Sequence, residues 1–367
     1  DVQVDALEGM HPVVVDLCQA ADLQCSHVLK SRVDSRQSGK PDILSSAAAR
    51  PQDHLRQYSV LGGVGIGFDD YGLWSPTVNL EQWRQLGRRI DYHGHDIALY
   101  DGGRADRPTI LLIHGFPTAA WDWHRLWPVL ADSYRLLAPD LIGYGFSAKP
   151  RRFPYSIAAQ ADLCEAIIAY AGVSRFHVLA HDYGDTVAQE LLARHIDSSR
   201  PDGMRSLCLL NGGVFPERHR PRVIQTLLAG RVGPLLARLM GKRRALDSLC
   251  AVFGPDTRPD PDEQEVLWQL MDAHQGRRVI PKLLGYIGER ELNRERWVGA
   301  LTASPVPLLF INGLLDPVSG AHMVDRWREL LPQSPVRTLP GIGHDPPLED
   351  PESVLAACQP FFSSISG

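Results

Sequence analysis

From Arg88 onward the chain alternates between two hydrophobic rhythms, and their order predicts the fold. RRIDYHGHDIALYDGG (88–103) alternates apolar and polar positions about His93–Gly94, as a β-hairpin does. TILLIH (109–114) is a continuous apolar run suited to a strand buried on both faces of a parallel sheet. Asp122 is expected to cap a helix reaching Leu130, and YRLLAPD (134–140) is the next strand. Ser156 caps a helix to Tyr170, with Gly172 just past its end. RFHVLAH (175–181) reads as a strand entering directly the helix DTVAQELLARH, and MRSLCLLN (204–211) as another strand. From about Val214 to Ala300 there are helical patterns and breakers but no convincing strand. Alternation resumes with VPLLFING (306–313), a helix expected to be capped by Ser319, the strand VRTL (336–339) and a last helix from Pro351. This order predicts an α/β fold with a mostly parallel, doubly wound sheet. The helical span 214–300 would lie over the carboxyl edge of that sheet, where such folds place ligands.

Residues 1–77 break this rhythm. SRVDSRQSGKPDILSSAAARPQD is polar and rich in breakers, and VLGGVGIGF lacks the spacing and following helix of a nucleotide loop. The front is therefore expected to be an irregular extension, with 78–213 and 301–367 forming the core and 214–300 a helical cap. Composition narrows the function. The 367 residues carry 38 Lys+Arg against 43 Asp+Glu, a net charge of -5 without the basic surplus that nucleic-acid binding requires. Six scattered cysteines show no zinc or disulfide spacing, which excludes a metal module and a disulfide scaffold. No apolar run approaches membrane-spanning length, and the acidic start DVQVDALEGM lacks the basic beginning of a signal peptide. A soluble cytoplasmic protein is expected, and the sequence leaves its oligomeric state open.

The candidate chemistry lies at strand ends. Ala180-His181-Asp182-Tyr183-Gly184 fits small–x–nucleophile–x–small at a strand-to-helix turn, with Asp in the nucleophile position. A carboxylate there faces the backbone N–H groups of a helix N-terminus, which favour its charge. IHGFPTAAWDW follows the first buried strand, so the amides of Phe116 and Tyr183 are the expected oxyanion donors. Asp316, in GLLDPV, and His344, in PGIGHDPPLEDPE, each follow a later strand. Nucleophile, acid and histidine fall in the order this topology requires.

These segments resemble the α/β-hydrolase superfamily, in the branch with an Asp nucleophile that includes epoxide hydrolases and haloalkane dehalogenases. HDYGDTVAQELL, LLNGGVFPERHRP, VFGPDTRP, RWVGAL and GLLDPV are similar to the mesoderm-specific transcript protein family within it. The resemblance covers the chain from about Leu80 to its end and implies an α/β-hydrolase fold with a helical cap.

An Asp nucleophile suits attack on saturated carbon. The ester it forms is hydrolysed by water attacking the Asp carbonyl carbon, whereas serine would leave an ether. An ordinary esterase is thereby disfavoured. The resemblance implies a halide held by Trp after the nucleophile and by Asn or Trp elsewhere, but Tyr183 and Phe116 stand at the first two of these positions. The Arg of HDRG, seen in fluoroacetate dehalogenases, is absent. HGFP resembles epoxide hydrolases, whose cap tyrosines donate a proton to the opening oxygen, and span 214–300 offers Tyr286 alone, with His219 or His274 as substitutes for a second. Trp121, Trp123, Phe215, Trp268 and Trp297 are candidates to line an apolar pocket, and His114 and His181 read as structural. The expected function is a cofactor-independent, metal-independent epoxide hydrolase acting on a small apolar organic substrate and water. The alternatives are a carbon–halogen hydrolase and a non-catalytic binding protein of the same fold.

Overall fold

The computed structural model describes residues 55–57, 78–198 and 202–365. Strand β1 (Leu55–Gln57) pairs antiparallel with β2 (Gly87–Tyr92), which turns at His93–Gly94 into β3 (His95–Gly103). Helix α1 (Leu80–Leu86) precedes β2 and begins with a reciprocal cap in which Asn79 accepts the Gln82 N–H and Gln82 takes the Asn79 N–H. There follow β4 (Thr109–Ile113), α2 (Trp127–Ser133), β5 (Arg135–Pro139), α3 (Ile157–Tyr170), β6 (Arg175–His181), α4 (Tyr183–Ser198) and β7 (Gly203–Leu210).

The chain then leaves the sheet through α5 (Val223–Ala229), α6 (Gly233–Leu239), α7 (Lys242–Cys250), α8 (Pro261–Asp272), a 3₁₀ segment (Ala273–Arg278), α9 (Ile280–Leu283), α10 (Tyr286–Leu292) and α11 (Arg294–Thr302). It returns with β8 (Leu308–Gly313), α12 (Ala321–Leu330), β9 (Val336–Leu339), α13 (Pro346–Glu349) and α14 (Pro351–Ser363).

The nine strands among the described residues lie in the order β1-β2-β3-β5-β4-β6-β7-β8-β9. Along that order pairing is parallel from β5 to β9 and antiparallel for β1–β2, β2–β3 and β3–β5. The continuous apolar runs have the cause expected of them, because successive residues feed two cores. Leu111, Ile113, Val178, Ala180, Leu209 and Phe310 point into one. Ile110, Leu112, Leu179, Cys208, Leu210 and Ile311 point into the other. Helices α3, α4 and α12 cover the first face, and α1, α2 and α14 the second.

Three expectations change. Leu55–Gln57, inside the front read as irregular, adds an edge strand, while VLGGVGIGF and the remainder of that front lie outside the described residues. Asp122 caps no helix. It is fully buried in the 3₁₀ turn Ala120–Trp123 and accepts the Thr118 hydroxyl. Ser319 does not cap α12 either, since its Oγ lies 2.6 Å from Asp316 Oδ2. Both have the side chain of a cap residue, but each meets a buried polar partner instead. No helix among the described residues is long and apolar enough to cross a membrane.

Candidate active site

Strand β6 is central, with Ala180 opposite Ile113 of β4 and Leu209 of β7. The chain must turn from β6 into α4 within a few residues, and Asp182 makes that turn at φ +47°. Such a conformation costs an L-residue roughly 1–3 kcal/mol and persists only where its surroundings fix it. Here Asp182 N–H donates to Leu210 O at 3.1 Å. Gly184 completes the turn against β4, where a Cβ would stand 2.2 Å from Ile113 O. The small residue at this position is therefore a steric requirement.

The Asp182 side chain is buried and meets three groups. Phe116 N–H donates to its Oδ2 at 3.1 Å. His344 Nε2 lies 3.7 Å from Oδ2, and Arg290 Nη2 lies 3.7 Å from Oδ1. Tyr183 opens α4 directly behind the carboxylate, its ring 5.3 Å from that of Tyr144. Burial alone would raise the Asp182 pKa, but the His344 imidazole and the Arg290 guanidinium outweigh it and hold the carboxyl well below its ordinary range. Asp182 is ionised at neutral pH.

His344 Nδ1 lies 2.8 Å from Asp316 Oδ2. Asp316 is held in turn, with Asn211 Nδ2 donating to Oδ2 at 3.1 Å and Val318 N–H to Oδ1 at 2.7 Å. Burial would lower the His344 pKa, but the Asp316 and Asp182 carboxylates flanking it push it well above its ordinary value. The His344 ring therefore stands between two carboxylates that favour its protonated form. His114 and His181 keep structural positions: His114 Nε2 accepts Leu141 N–H at 3.0 Å, and His181 Nε2 lies 2.8 Å from His344 O.

Asp182 and His344 open into a cavity of about 80 Å³. Phe116 and Pro117 form one side, and Leu228, Met240, Leu249, Met271 and Leu284 from the helical insertion form most of the rest. A small, largely apolar molecule fits this lining.

None of the five aromatic residues expected in the wall is there. Trp121 donates to Glu263 Oε1 at 3.0 Å and stacks on His124. Trp123 is fully buried in the second core. Phe215 packs against Trp327, Trp268 lies under Arg277, and Trp297 donates to Glu190 Oε2 at 2.7 Å. Four of the five rings thus have partners outside the cavity wall, and Trp123 belongs to the second core.

Tyr286 was expected to point into the pocket and is not in its wall. It packs instead on Tyr183 (5.0 Å between ring centroids) and Phe116 (6.3 Å), with the Arg290 guanidinium 4.5 Å from its ring centre. Burial and the nearby Asp182 charge raise its pKa, so the phenol stays protonated. His219 is the nearer of the two candidate histidines, and burial together with Arg290 lowers its pKa to about 3. His274 sits in the kinked 3₁₀ segment, outside the cavity wall.

Two residues carry the site without a sequence signal that singles them out. Asn211 directly follows β7 at φ +44° and reaches both Asp316 and the Gly313 backbone. Arg290 on α10 is 1% exposed, donating to Thr186 Oγ1 at 2.7 Å and to Asp182 O at 3.1 Å. Within GERELNRERW it looks like any solvated helix charge.

This fold and site geometry agree with the alpha/beta hydrolase fold family, which matches residues 108–351, and the chain belongs to that family. It is 43% identical over 296 residues to the mesoderm-specific transcript homolog protein of Bos taurus, spanning 78% of this chain and 88% of that protein. Among solved structures it is similar to wild-type Cfl2 from Burkholderia cenocepacia, at 25% identity and a TM-score of 0.63, covering 75% of this chain and 95% of that one. It is likewise similar to a loop variant of haloalkane dehalogenase DbeA-M1 from Bradyrhizobium elkanii, at 25% identity and a TM-score of 0.57, covering 74% and 94%. The protein is accordingly a hydrolase of the α/β fold.

Proposed function

We propose that the protein hydrolyses a bond at saturated carbon through an ester of Asp182, and that its substrates are small apolar epoxides. One observation carries this reading: an ionised Asp182 stands at the elbow between the Phe116 amide and His344, at the floor of an apolar cavity. Oδ2 is engaged by Phe116, which leaves Oδ1 to attack. The new Oδ1–carbon bond forms as the carbon–oxygen bond of the epoxide breaks, and the departing alkoxide takes a proton from Tyr286, which packs on Phe116 outside the resting cavity wall and turns its hydroxyl inward when substrate binds. The helical insertion acts as a cap that excludes water during this step.

Ester formation removes the Asp182 charge. His344 then faces one carboxylate instead of two, its pKa falls, and it passes its proton through solvent to the Tyr286 phenolate, which leaves it neutral as the base for the second step. Water loses a proton to His344 and adds to the Asp182 carbonyl carbon. The charge that develops on Oδ2 meets the Phe116 N–H, already 3.1 Å away. The bond between the acyl carbon and Oδ1 breaks, the diol leaves with the proton returned by His344, and the resulting Asp182 carboxylic acid gives its own proton to His344, which restores the ionised carboxylate. Asp316 orients the imidazole and balances its charge throughout.

A second reading, hydrolysis of a carbon–halogen bond, is favoured by the similarity to haloalkane dehalogenase DbeA-M1. That leaving group needs no proton, so Tyr286 would be dispensable. A panel of epoxides and haloalkanes assayed for diol and halide release separates the two. Diol formation supports the epoxide reading, halide release alone supports the second, and neither product from any member rejects both.

A further inference from the structure

Between Glu217 and Asp247 the chain carries Arg218, Arg220, Arg222, Arg231, Arg238, Lys242, Arg243 and Arg244 and no acidic residue, in a protein of net charge -5. This run builds helices α5, α6 and the start of α7. Along α6 the side chains divide by face. Gly233 and Ala237 are buried, and Met240 just beyond the helix lines the cavity. Val232, Leu235 and Leu239 are 42%, 58% and 69% exposed, at the i, i+3, i+7 spacing of a single helix face. Arg238 on the same helix is exposed as well, as are Arg231 just before it and Lys242 at the start of α7.

Four of the seven large exposed hydrophobic residues among those described are Val223, Val232, Leu235 and Leu239. Single exposed apolar side chains are ordinary, but a clustered set on one helical face marks an interaction surface. The surrounding charge is partly free. Lys242 pairs with Glu265 and Arg243 approaches Asp247, whereas Arg231, Arg238 and Arg244 have no ion-pair partner among the described residues.

We infer that the outer face of α5–α7 docks on the surface of an anionic lipid bilayer, with Leu235 and Leu239 entering the headgroup boundary and Arg231, Arg238 and Arg244 meeting acidic headgroups. Exposed leucines flanked by unpaired arginines are the composition of a surface that seats in a bilayer interface. A nucleic acid would use the arginines and leave the leucines idle. The inner faces of the same helices wall the cavity through Ile224, Leu228, Met240 and Leu249. Docking therefore brings the wall of an apolar pocket next to a lipid phase, from which an apolar molecule can enter. The docking itself is independent of the chemistry proposed for Asp182.

The test is co-sedimentation of the full chain with vesicles of phosphatidylcholine alone and of phosphatidylcholine mixed with phosphatidylglycerol, at low and high salt. Binding is expected to the mixed vesicles and to fall with salt. Arg231→Ala, Arg238→Ala and Arg244→Ala combined should weaken it about a hundred-fold, at about five-fold per basic residue. Leu235→Ser with Leu239→Ser should weaken it by about ten-fold or more, since each buried methylene contributes to interfacial binding. Both variants alter exposed side chains and should retain the parent melting temperature. Failure to bind the mixed vesicles overturns the proposal. So does binding that needs the arginines but not the leucines, with equal affinity for duplex DNA, which indicates a polyanion site. Dimerisation lost in the leucine variant without any vesicle binding overturns it too, assigning the face to a second copy of the chain.

Discussion

Replacing Arg290 by methionine removes a buried cation 3.7 Å from Asp182 Oδ1 while keeping much of the side chain's volume. At an effective dielectric of about 20, a charge pair at that distance interacts by about 4.5 kcal/mol. This corresponds to about three pKa units on the carboxylate, as an upper limit before the site relaxes. In the parent protein, Arg290 and His344 together overcome burial and keep Asp182 ionised through the mildly acidic range. In the variant the contribution of Arg290 against burial is lost, so the Asp182 pKa rises. Ester formation needs the ionised carboxylate, and its rate is lost as pH falls through that pKa. The expected result is an acid limb in the pH profile of ester formation, shifted upward by as much as about three units. Arg290→Lys should return part of the shift.

Stability should fall as well, by about 3–5 kcal/mol, because a buried carboxylate loses a partner. Stopped-flow measurement of ester formation across pH, alongside urea unfolding, reads both effects. An acid limb that stays in place while stability drops would refute this reasoning. Arg290 would then merely tie α10 to α4 through Thr186.

His344→Gln should form the Asp182 ester and fail to hydrolyse it, visible as a substrate-sized mass increase on the intact protein; an active variant without an adduct contradicts the assignment. In the parent enzyme the hydrolysis step alone should slow as pH falls, because it needs neutral His344, and rapid-quench kinetics across pH separates it from ester formation. Tyr286→Phe should slow ester formation from epoxides by about 10²–10⁴-fold and leave halide displacement unchanged, in single-turnover assays of both substrate types. Gly184→Ala places a Cβ against the Ile113 carbonyl and should cost about 1–3 kcal/mol in denaturant unfolding, with the elbow displaced.

The sheet was legible in the sequence because a parallel strand covered on both faces leaves an uninterrupted apolar run, and TILLI, VLA and LLFI each feed two cores at once. Asp182 and Asp316 were legible because each stands within a few residues of the end of such a run, and His344 because it follows the strand VRTL in the order the topology requires; the structure brings all three together. Helix α1 was also written in the chain, in the capping pair Asn79 and Gln82, but it lies next to the unpatterned front and was passed over. The cap assignments of Asp122 and Ser319 went astray because a short polar side chain serves equally as a helix cap or a buried hydrogen-bond partner. Sequence spacing does not separate the two uses. The aromatic residues failed for a related reason. Apolar character predicts burial, but whether Trp297 faces a cavity or Glu190 depends on packing between α11 and α4. Arg290 was hidden altogether, since its burial is produced by elements distant in sequence.

The central claim is that a bond forms between substrate and Asp182, and single turnover in ¹⁸O-labelled water tests it most directly. Water attacks the Asp182 carbonyl carbon, so the oxygen delivered to the first product molecule comes from the protein. With enzyme in excess, the account predicts unlabelled product and one ¹⁸O in the peptide carrying Asp182. Label in the first-turnover product, with that peptide unlabelled, would mean that water attacks the substrate carbon directly and would contradict the ester mechanism.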